Sequence, residues 1–319
     1  MIRLTILLLL SALVLSCNKK QPPIIEFIKA EPNSVYPGDT VVLNCEANPG
    51  DDHDLYLHFA WSAHEGTLYN PTDPIGSTYY WIAPKHPGPH YISLTVSDPD
   101  FSVTDSVLVM VMDTMGTFTD VRDGHEYKWV KIGSQIWMAE NLAYLPAVSS
   151  WDTGIDTADF YYVYGYVGTN VAEAKMWSHF QLFGALYSWK AARIVCPDGW
   201  RLPSDDDWKT LEKRLGMSES DANSLWLRNS GLIGKKLKSS SEWDSTGNGD
   251  NSSRLNCFPG GLRDNQGFIS MGASAYFWTS TPDLFTRNVL GRWLSYHEDG
   301  VYRASYYRWH GLSVRCVKD

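Results

Sequence analysis

The sequence predicts two folded domains in series, a small antiparallel β-sandwich over residues 24–113 and an α+β domain over residues 114–319. Short runs that alternate apolar and polar residues, separated by turn residues, fill the first stretch. Twelve of the fourteen tryptophans follow residue 114, together with the two stretches that have helical spacing. A chain of 319 residues is long enough for two hydrophobic cores.

Residues 1–16 predict a lipoprotein signal peptide. Arg3 precedes the apolar run Leu4–Leu10, which is too short to span a bilayer as a mature helix. The run ends in Val14-Leu15-Ser16-Cys17, which matches the bacterial lipobox. Cys17 is therefore the expected acylated N-terminus, followed by a tether over residues 17–23. An ordinary secretory signal with an unrelated cysteine is the alternative.

The residues after Cys17 indicate the membrane and the class of partner. Asn18 is not the aspartate associated with inner-membrane retention, so we expect the outer membrane, with the periplasmic or the surface face left open. No later run is apolar enough to cross a bilayer. The net charge of −9, without a basic run, argues against nucleic acid as a partner, because phosphate binding requires concentrated Lys and Arg.

The first domain resembles immunoglobulin-like modules. Cys45, Trp61 and Tyr91 resemble the strand B cysteine, strand C tryptophan and tyrosine corner of that fold. Ser93 stands where the second cysteine is expected, so Cys45 is predicted to be a buried, unpaired thiol. The domain also resembles PKD-type modules, which implies a spacer that holds the second domain away from the membrane. The strands are predicted at residues 40–45, 55–61, 90–96 and 106–111.

Glu31-Pro32-Asn33 coincides with a tripeptide that some C-type lectins use to bind calcium and sugar. It lies in the first domain, just before a predicted strand, where proline and asparagine favour a turn. The second domain contains no such tripeptide. Calcium-dependent sugar binding of that kind is therefore not expected.

Two hairpins are predicted in the second domain. Tyr127–Ile132 and Gln135–Met138 alternate apolar and polar residues around Gly133-Ser134, a two-residue turn. Asp299-Gly300 is a similar turn signal, with apolar residues on both sides.

Two helices are also predicted there. Ala185–Ala192 predicts the first one. Ser204 is the expected N-cap of the second, with Asp207 three residues later in the position of a capping box. Apolar residues follow at helical spacing, at Trp208, Leu211 and Leu215. The second helix should therefore bury one stripe.

Five motifs in the second half carry a family resemblance: Ile132–Leu142, Cys196–Trp208, Pro259–Arg263, Phe277–Thr281 and Ser313–Val317. In this order they resemble the Fibrobacter succinogenes major paralogous domain, over roughly residues 115–319. That family is similar to the C-type-lectin-like and formylglycine-generating-enzyme fold group. The resemblance therefore implies an α+β, C-type-lectin-like domain, and it implies no defined ligand or reaction.

The second domain contains three cysteines, Cys196, Cys257 and Cys316. Outside the cytoplasm cysteines tend to oxidise in pairs, so one disulfide and one free thiol are expected. Cys196 and Cys316 both lie in motifs of the family, so the resemblance implies a disulfide between them, worth about 2–4 kcal/mol. Cys257 is expected to be a free, buried thiol.

Signals for catalysis are weak. Formylglycine-generating enzymes need a pair of reactive cysteines, and this sequence supplies no convincing pair. His297-Glu298-Asp299-Gly300 lacks a second histidine one helical turn later, so it is better explained as a turn. Asp205–Asp207 could suggest a metal, but acids in a first helical turn complement the helix dipole.

Two groups of residues predict ligand binding. The first group is aromatic and lies near turns or in a stretch with few aliphatic residues: Trp151, Tyr161, Tyr164, Trp243 and Trp309. Flat apolar rings beside hydroxyl and carboxylate groups suit a sugar or a protein ligand. The second group is Asn248, Asp250 and Asn251, whose oxygens could hold calcium, with simple turn chemistry as the alternative.

The sequence therefore predicts an outer-membrane lipoprotein whose second domain binds a glycan or an envelope protein without catalysis. One alternative is an oxidase or protein-modifying enzyme of the formylglycine-generating type, which requires a second thiol near Cys257 in a pocket. Another is a purely structural envelope protein. An absent groove and an absent exposed aromatic cluster would favour that role.

Overall fold

The computed structural model describes residues 20–50, 56–70, 73, 75–153 and 158–319. The chain divides into two compact units, with the boundary between Asp113 and Thr114. Both units are rich in β-strand, so the protein is a β-rich multidomain chain. None of the helices within these ranges is long and apolar enough to cross a membrane. The predicted signal peptide and Cys17 lie outside the described residues.

The first unit contains two four-stranded sheets, ordered β1-β3-β6-β5 and β2-β8-β7-β4. Neighbouring strands in these sheets pair antiparallel, except β2 and β8, which pair parallel. The eight strands are β1 (Ile24–Glu31), β2 (Ser34–Val35), β3 (Thr40–Asn48), β4 (His58–Ala63), β5 (Thr67–Tyr69), β6 (Thr78–Ile82), β7 (Gly88–Ser97) and β8 (Ser102–Val111). Pro32 and Asn33 connect β1 to β2, as the turn interpretation predicted.

The immunoglobulin residue assignment is wrong in strand β7. Tyr91 is 62% exposed, whereas Ile92 and Leu94 are fully buried. Alternate residues of a strand face opposite sides, so Ser93 points outward with Tyr91. Leu94 lies in the apolar cluster that contains Cys45. Cys45 is buried and free, as predicted.

A different tryptophan from the predicted one fills the core of the first unit. Trp81 is fully buried, and its indole N–H donates to the Glu65 carbonyl at 2.9 Å. Trp61, which the sequence nominated, is only half-buried and donates to the carbonyl of Gly76.

The second unit contains a five-stranded sheet ordered β14-β21-β11-β10-β9, a six-stranded sheet ordered β15-β20-β19-β18-β16-β17, and the pair β12-β13. Its strands are β9 (Met115–Thr119), β10 (Glu126–Ile132), β11 (Gln135–Met138), β12 (Tyr161–Tyr162), β13 (Leu186–Tyr187), β14 (Trp200–Arg201), β15 (Trp226–Arg228), β16 (Gly260–Asp264), β17 (Gly267–Met271), β18 (Ser274–Pro282), β19 (Val289–Ser295), β20 (Val301–Tyr306) and β21 (Val317–Lys318). Its helices are α1 (Val171–Met176), α2 (Ser178–Phe183), α3 (Trp189–Ala192), α4 (Asp205–Arg214), α5 (Glu219–Asn223) and α6 (Ile233–Leu237), with a short 3-10 helix at Ser230–Leu232.

Both predicted hairpins are confirmed. In β10 and β11, Ile132 pairs with Gln135 across the Gly133-Ser134 turn. Gly133 has a φ of 61°, a conformation that glycine adopts without steric cost. Strands β19 and β20 pair antiparallel across the segment that contains Asp299-Gly300.

The predicted N-terminus of α4 is also confirmed. The Asp207 backbone N–H donates to Ser204 Oγ at 3.1 Å, and the Ser204 N–H donates back to Asp207 Oδ2 at 2.7 Å. This reciprocal capping box satisfies two amides that the first helical turn leaves unpaired. Trp208 and Leu211 form the buried stripe.

The helix predicted at Ala185–Ala192 is only partly right. Trp189–Ala192 is helical, but Leu186 and Tyr187 form strand β13. Tyr187 pairs with Tyr161, and its backbone N–H donates to the Leu312 carbonyl at 2.9 Å. Tertiary strand pairing therefore overrides the local helical pattern at these two positions.

Asp205 has a role that its sequence context did not predict. It is buried, and its carboxylate accepts hydrogen bonds from Arg292 at 2.7 Å and from Arg303 at 2.8 Å. Two helical turns later, Glu212 pairs with Arg228 and Arg292. The interpretation of Asp205 as a helix-dipole residue is therefore incomplete, because α4 anchors a buried ionic network to strands β15, β19 and β20.

The disulfide between Cys196 and Cys316 is confirmed, and it joins residues separated by 120 positions. It links the loop after α3 to the segment just before β21. Cys257 is buried and free, also as predicted.

Candidate functional site

Arg263, in strand β16, brings three chain segments together. Its buried guanidinium donates to the carbonyls of Trp151 at 2.7 Å, Trp309 at 3.0 Å and Thr153 at 2.6 Å. The same group lies 4.8 Å from the ring centroid of Tyr162. Five N–H donors in a rigid fork allow one arginine to satisfy several loop carbonyls. Arg263 thus fixes the backbone of two predicted site residues, Trp151 and Trp309.

Aromatic rings lie around the loops that Arg263 holds. The Tyr307 and Trp309 rings stack with centroids 5.3 Å apart and an interplanar angle of 14°. Tyr307 is 54% exposed, and Trp309 and Trp151 are half-buried. Gly267 lies against Trp151, since a Cβ atom there would be 3.7 Å from the Trp151 ring. Flat apolar faces are therefore partly open to solvent here.

Two carboxylates complete the surface. Burial lowers the pKa of Arg263, while Tyr162 and the nearby charges of Asp264 and Asp152 act in the opposite direction. Asp152 is exposed and Asp264 is half-buried. We call Trp151, Asp152, Asp264, Tyr307 and Trp309 the Arg263 surface. It offers ring faces and hydrogen-bond acceptors side by side.

His310 lies behind this surface and was not nominated from the sequence. Its ring is 4.4 Å from the Trp309 ring at an interplanar angle of 83°. Its Nδ1 atom is buried without a hydrogen-bond partner. Burial lowers the pKa of His310 from 6.5 to about 4, although the Asp264 carboxylate favours the charged form.

We expect acid to destabilise the second unit through His310. The unfolded chain binds a proton near pH 6.5 and the folded chain only near pH 4, so this contribution is complete above pH 6.5 and is lost as pH falls to 4. Melting temperatures between these pH values should fall less steeply for His310→Phe than for the unchanged protein. His125→Phe, at an exposed histidine, controls for the loss of an imidazole. Equal slopes for His310→Phe and the unchanged protein would contradict the assignment.

The other nominated aromatic residues do not join the Arg263 surface. Tyr161 packs edge-on against Tyr187 at 5.9 Å, and Tyr164 lies 5.1 Å from Phe268. Trp243 is buried, and its indole N–H donates to Ser239 Oγ at 3.1 Å and to the Cys257 carbonyl at 3.2 Å. The prediction that Trp243 contacts a ligand is wrong, because its ring fills the interior beneath a loop.

The nominated calcium ligands are not brought together. Asn248 Oδ1 accepts from the Trp243 backbone N–H at 3.1 Å, and Asp250 Oδ1 accepts from that of Ser252 at 2.8 Å. Asn251 Oδ1 accepts from the backbone N–H of Asn256 at 2.9 Å. The three oxygens serve three separate amides, which is ordinary turn chemistry. Within the ranges that the structure describes, no group of three or more His, Cys, Asp or Glu side chains could hold a metal ion.

A separate cleft of about 270 Å³ lies beside β10, β11 and α2, and it shares no lining residue with the Arg263 surface. Its polar lining includes Asn141 and Asn256, which accept hydrogen bonds from the buried Arg315 at 2.8 Å each. Its lining residues are His125, Lys128, Ala139, Glu140, Asn141, Ala143, Phe180, Gln181, Leu182, Gly184, Asn256 and Phe258. Sequence reasoning missed it because its residues come from four separate segments of the chain.

The described cysteines of the second unit are one disulfide-bonded pair and one buried thiol. Cys257 is fully buried, and burial raises the pKa of its thiol to about 11, which disfavours the nucleophilic thiolate. Cys316 is oxidised with Cys196, and Cys45 belongs to the first unit. Cys257 is the free thiol of the described second unit, and Cys45 is that of the described first unit.

Comparison with known proteins places the second unit in a family. No curated protein matches the chain. A solved structure of a nucleoside hydrolase-related hypothetical protein from Saccharophagus degradans, associated with carbohydrate metabolism, is 16% identical over 29% of this chain and 26% of its own length, with a TM-score of 0.22. This chain thus spans about a quarter of that protein, and a likeness this low carries no argument. The family model described as the Fibrobacter succinogenes major domain matches residues 130–318, more than half of the chain, and the protein therefore belongs to that family.

Proposed function

We propose that this protein is a bacterial outer-membrane lipoprotein, anchored through Cys17, whose second unit binds a glycan outside the cytoplasm. The first unit serves as an immunoglobulin- or PKD-like spacer. The second unit is a C-type-lectin-like, non-catalytic binding domain. The Arg263 surface is the observation that carries this proposal.

A polyhydroxylated ligand fits this surface best. Sugar rings present apolar C–H faces that pack on flat aromatic rings, such as the stacked pair Tyr307 and Trp309. The carboxylates of Asp152 and Asp264 can accept hydrogen bonds from sugar hydroxyls. The buried Arg263 holds the backbone of Trp151 and Trp309 before a ligand arrives. A preorganised site loses less entropy on binding.

The two alternatives receive less support. A purely structural role would be favoured if the second unit had neither a groove nor an exposed aromatic cluster. The second unit has a cleft and the Arg263 surface. An oxidase of the formylglycine-generating type requires a second thiol beside Cys257, and Cys316 is already oxidised.

The test is a glycan-array and envelope-polysaccharide screen with the full chain that carries Cys17→Ser, which prevents acylation. We expect saturable binding that falls about tenfold or more in Tyr307→Ala and in Trp309→Ala, because truncating an anchoring aromatic costs about 1–2 kcal/mol or more. Trp177→Ala is the matched control. Trp177 is the N-cap residue of α2, its side chain is 42% exposed, and its ring packs on Tyr166 rather than on the Arg263 surface.

The outcomes separate the possibilities. Binding should not require calcium, because the oxygens of Asn248, Asp250 and Asn251 do not converge. If no sugar is bound, the glycan proposal fails and a protein ligand becomes the better explanation. If binding survives both surface variants but is lost in Lys128→Met, the cleft is the site instead.

A further inference from the structure

The loop between β18 and β19 exposes two large apolar side chains. Leu284 is 91% and Phe285 is 94% exposed. Asp283 orders this loop, because its carboxylate accepts from the Phe285 backbone N–H at 2.9 Å and from Thr286 Oγ1 at 2.7 Å. The Asp283 N–H also donates to the Asn288 carbonyl at 2.9 Å. We call residues 284–287 the Phe285 tip.

Basic side chains adjoin the Phe285 tip. Arg287 belongs to it and is exposed, and Arg308 Nε donates to the Arg287 carbonyl at 3.0 Å. The guanidinium of Arg308 lies 4.7 Å from the Trp189 ring centroid, and that of Arg193 lies 5.0 Å from the same centroid. Arg308 therefore contacts the tip directly, and Arg193 lies near it through the Trp189 ring that both guanidinium groups approach.

The local charge balance is positive. Asp283 is the carboxylate at the base of the tip, and its oxygens already accept from Phe285, Thr286 and Ser305. The whole chain has a net charge of −9, so a basic patch around exposed apolar residues departs from its general acidic character. Such a combination complements a surface that is apolar inside and anionic outside.

We propose that the Phe285 tip inserts Leu284 and Phe285 into a phospholipid bilayer with anionic headgroups, while the adjoining arginines bind the phosphates. Stable protein interfaces bury about 800 Å² on each partner, far more than two side chains at a tip provide. A fluid bilayer accepts both side chains without a shaped pocket. Guanidinium groups bind phosphate oxygens in bidentate fashion.

Binding through this tip is expected to be weak and reversible. Each inserted side chain should strengthen binding by about tenfold, which follows from the transfer of a Leu or Phe side chain out of water. Salt should weaken it, because exposed charges are screened over about 8 Å at physiological ionic strength. The tip would therefore supplement a lipid anchor rather than replace it.

The experiment uses the full chain with Cys17→Ser, so that no acyl chain contributes. Sedimentation with vesicles of phosphatidylglycerol and phosphatidylcholine should show binding that phosphatidylcholine alone does not support. The double variant Leu284→Ser/Phe285→Ser should reduce binding about a hundredfold, because each side chain contributes about tenfold. Arg287→Asn should weaken it severalfold and reduce its salt dependence, and asparagine tolerates the φ of 60° at this position. Val121→Ser removes another apolar side chain of 91% exposure and should change nothing.

Three results would overturn the proposal. The first is that the Cys17→Ser chain with an unchanged tip does not bind anionic vesicles. The second is equal binding by the double-serine variant. The third is self-association in solution that the double-serine variant abolishes, which would assign the tip to a second copy of the chain. The vesicle assay contains no glycan, so its outcome is independent of sugar binding.

Discussion

Replacing Glu212 with glutamine is expected to lower the free energy of unfolding of the second unit by about 3–5 kcal/mol. The Glu212 carboxylate is fully buried and accepts from Arg228 at 2.7 Å and from Arg292 at 2.6 Å. A neutral amide would leave two buried guanidinium groups with one remaining carboxylate, Asp205. Breaking a buried ion pair is costly because the unpaired charge cannot recover its hydration.

Urea unfolding followed by tryptophan fluorescence measures this loss, since twelve of the fourteen tryptophans lie in the second unit. Glu219→Gln is the matched control, because Glu219 pairs with Lys213 at 3.0 Å on the surface. Exposed pairs contribute about 0–1 kcal/mol, so this variant should be nearly unchanged. A loss below 1 kcal/mol for Glu212→Gln would contradict the buried network.

Removal of the Cys196–Cys316 disulfide has the second largest expected effect. The double variant Cys196→Ser/Cys316→Ser should lose about 2–5 kcal/mol, because the bond closes a loop of 120 positions and so restricts the unfolded chain. The melting temperature of the unchanged protein should fall in dithiothreitol, and that of the double variant should not respond.

A melting temperature that is insensitive to reductant in the unchanged protein would contradict this prediction. Cys257→Ala serves as a control for reductant effects on a free thiol, since Cys257 is buried and unpaired. Its response to reductant should equal that of the unchanged protein.

Local signals predicted local structure well. The Gly133-Ser134 turn, the Ser204 capping box and the Asp299-Gly300 segment each depend on contacts between residues close in sequence. The disulfide followed from two family motifs rather than from physical reasoning about spacing.

Long-range contacts decided the features that sequence reasoning missed. Leu186 and Tyr187 form a strand because Tyr162 pairs with Leu186, and Tyr161 and Leu312 pair with Tyr187. Trp243 lies near turns, yet it is buried because the interior beneath its loop accepts the ring. Nothing adjacent to Asp205 indicates that Arg292 and Arg303 meet it.

Buried arginines explain much of this loop-rich unit. Arg263 binds the carbonyls of Trp151, Thr153 and Trp309, and Arg315 binds those of Met138, Leu255 and Asn256. Irregular loops leave carbonyl oxygens without ladder partners, and a buried carbonyl needs a donor. One guanidinium supplies several donors, so each arginine fixes several loops at once. The candidate site therefore depends on a residue whose partners could not be read from the sequence.

The most direct test of glycan binding at the Arg263 surface is a titration of the full chain, with Cys17→Ser and ¹⁵N-labelled tryptophan, with a sugar that the array identifies. Binding at this surface should give saturable shifts of the Trp151 and Trp309 indole N–H resonances, assigned by single substitutions, while the Trp177 resonance stays in place. Saturable binding without any change at Trp151 and Trp309 would contradict it, and would place the sugar elsewhere on the chain.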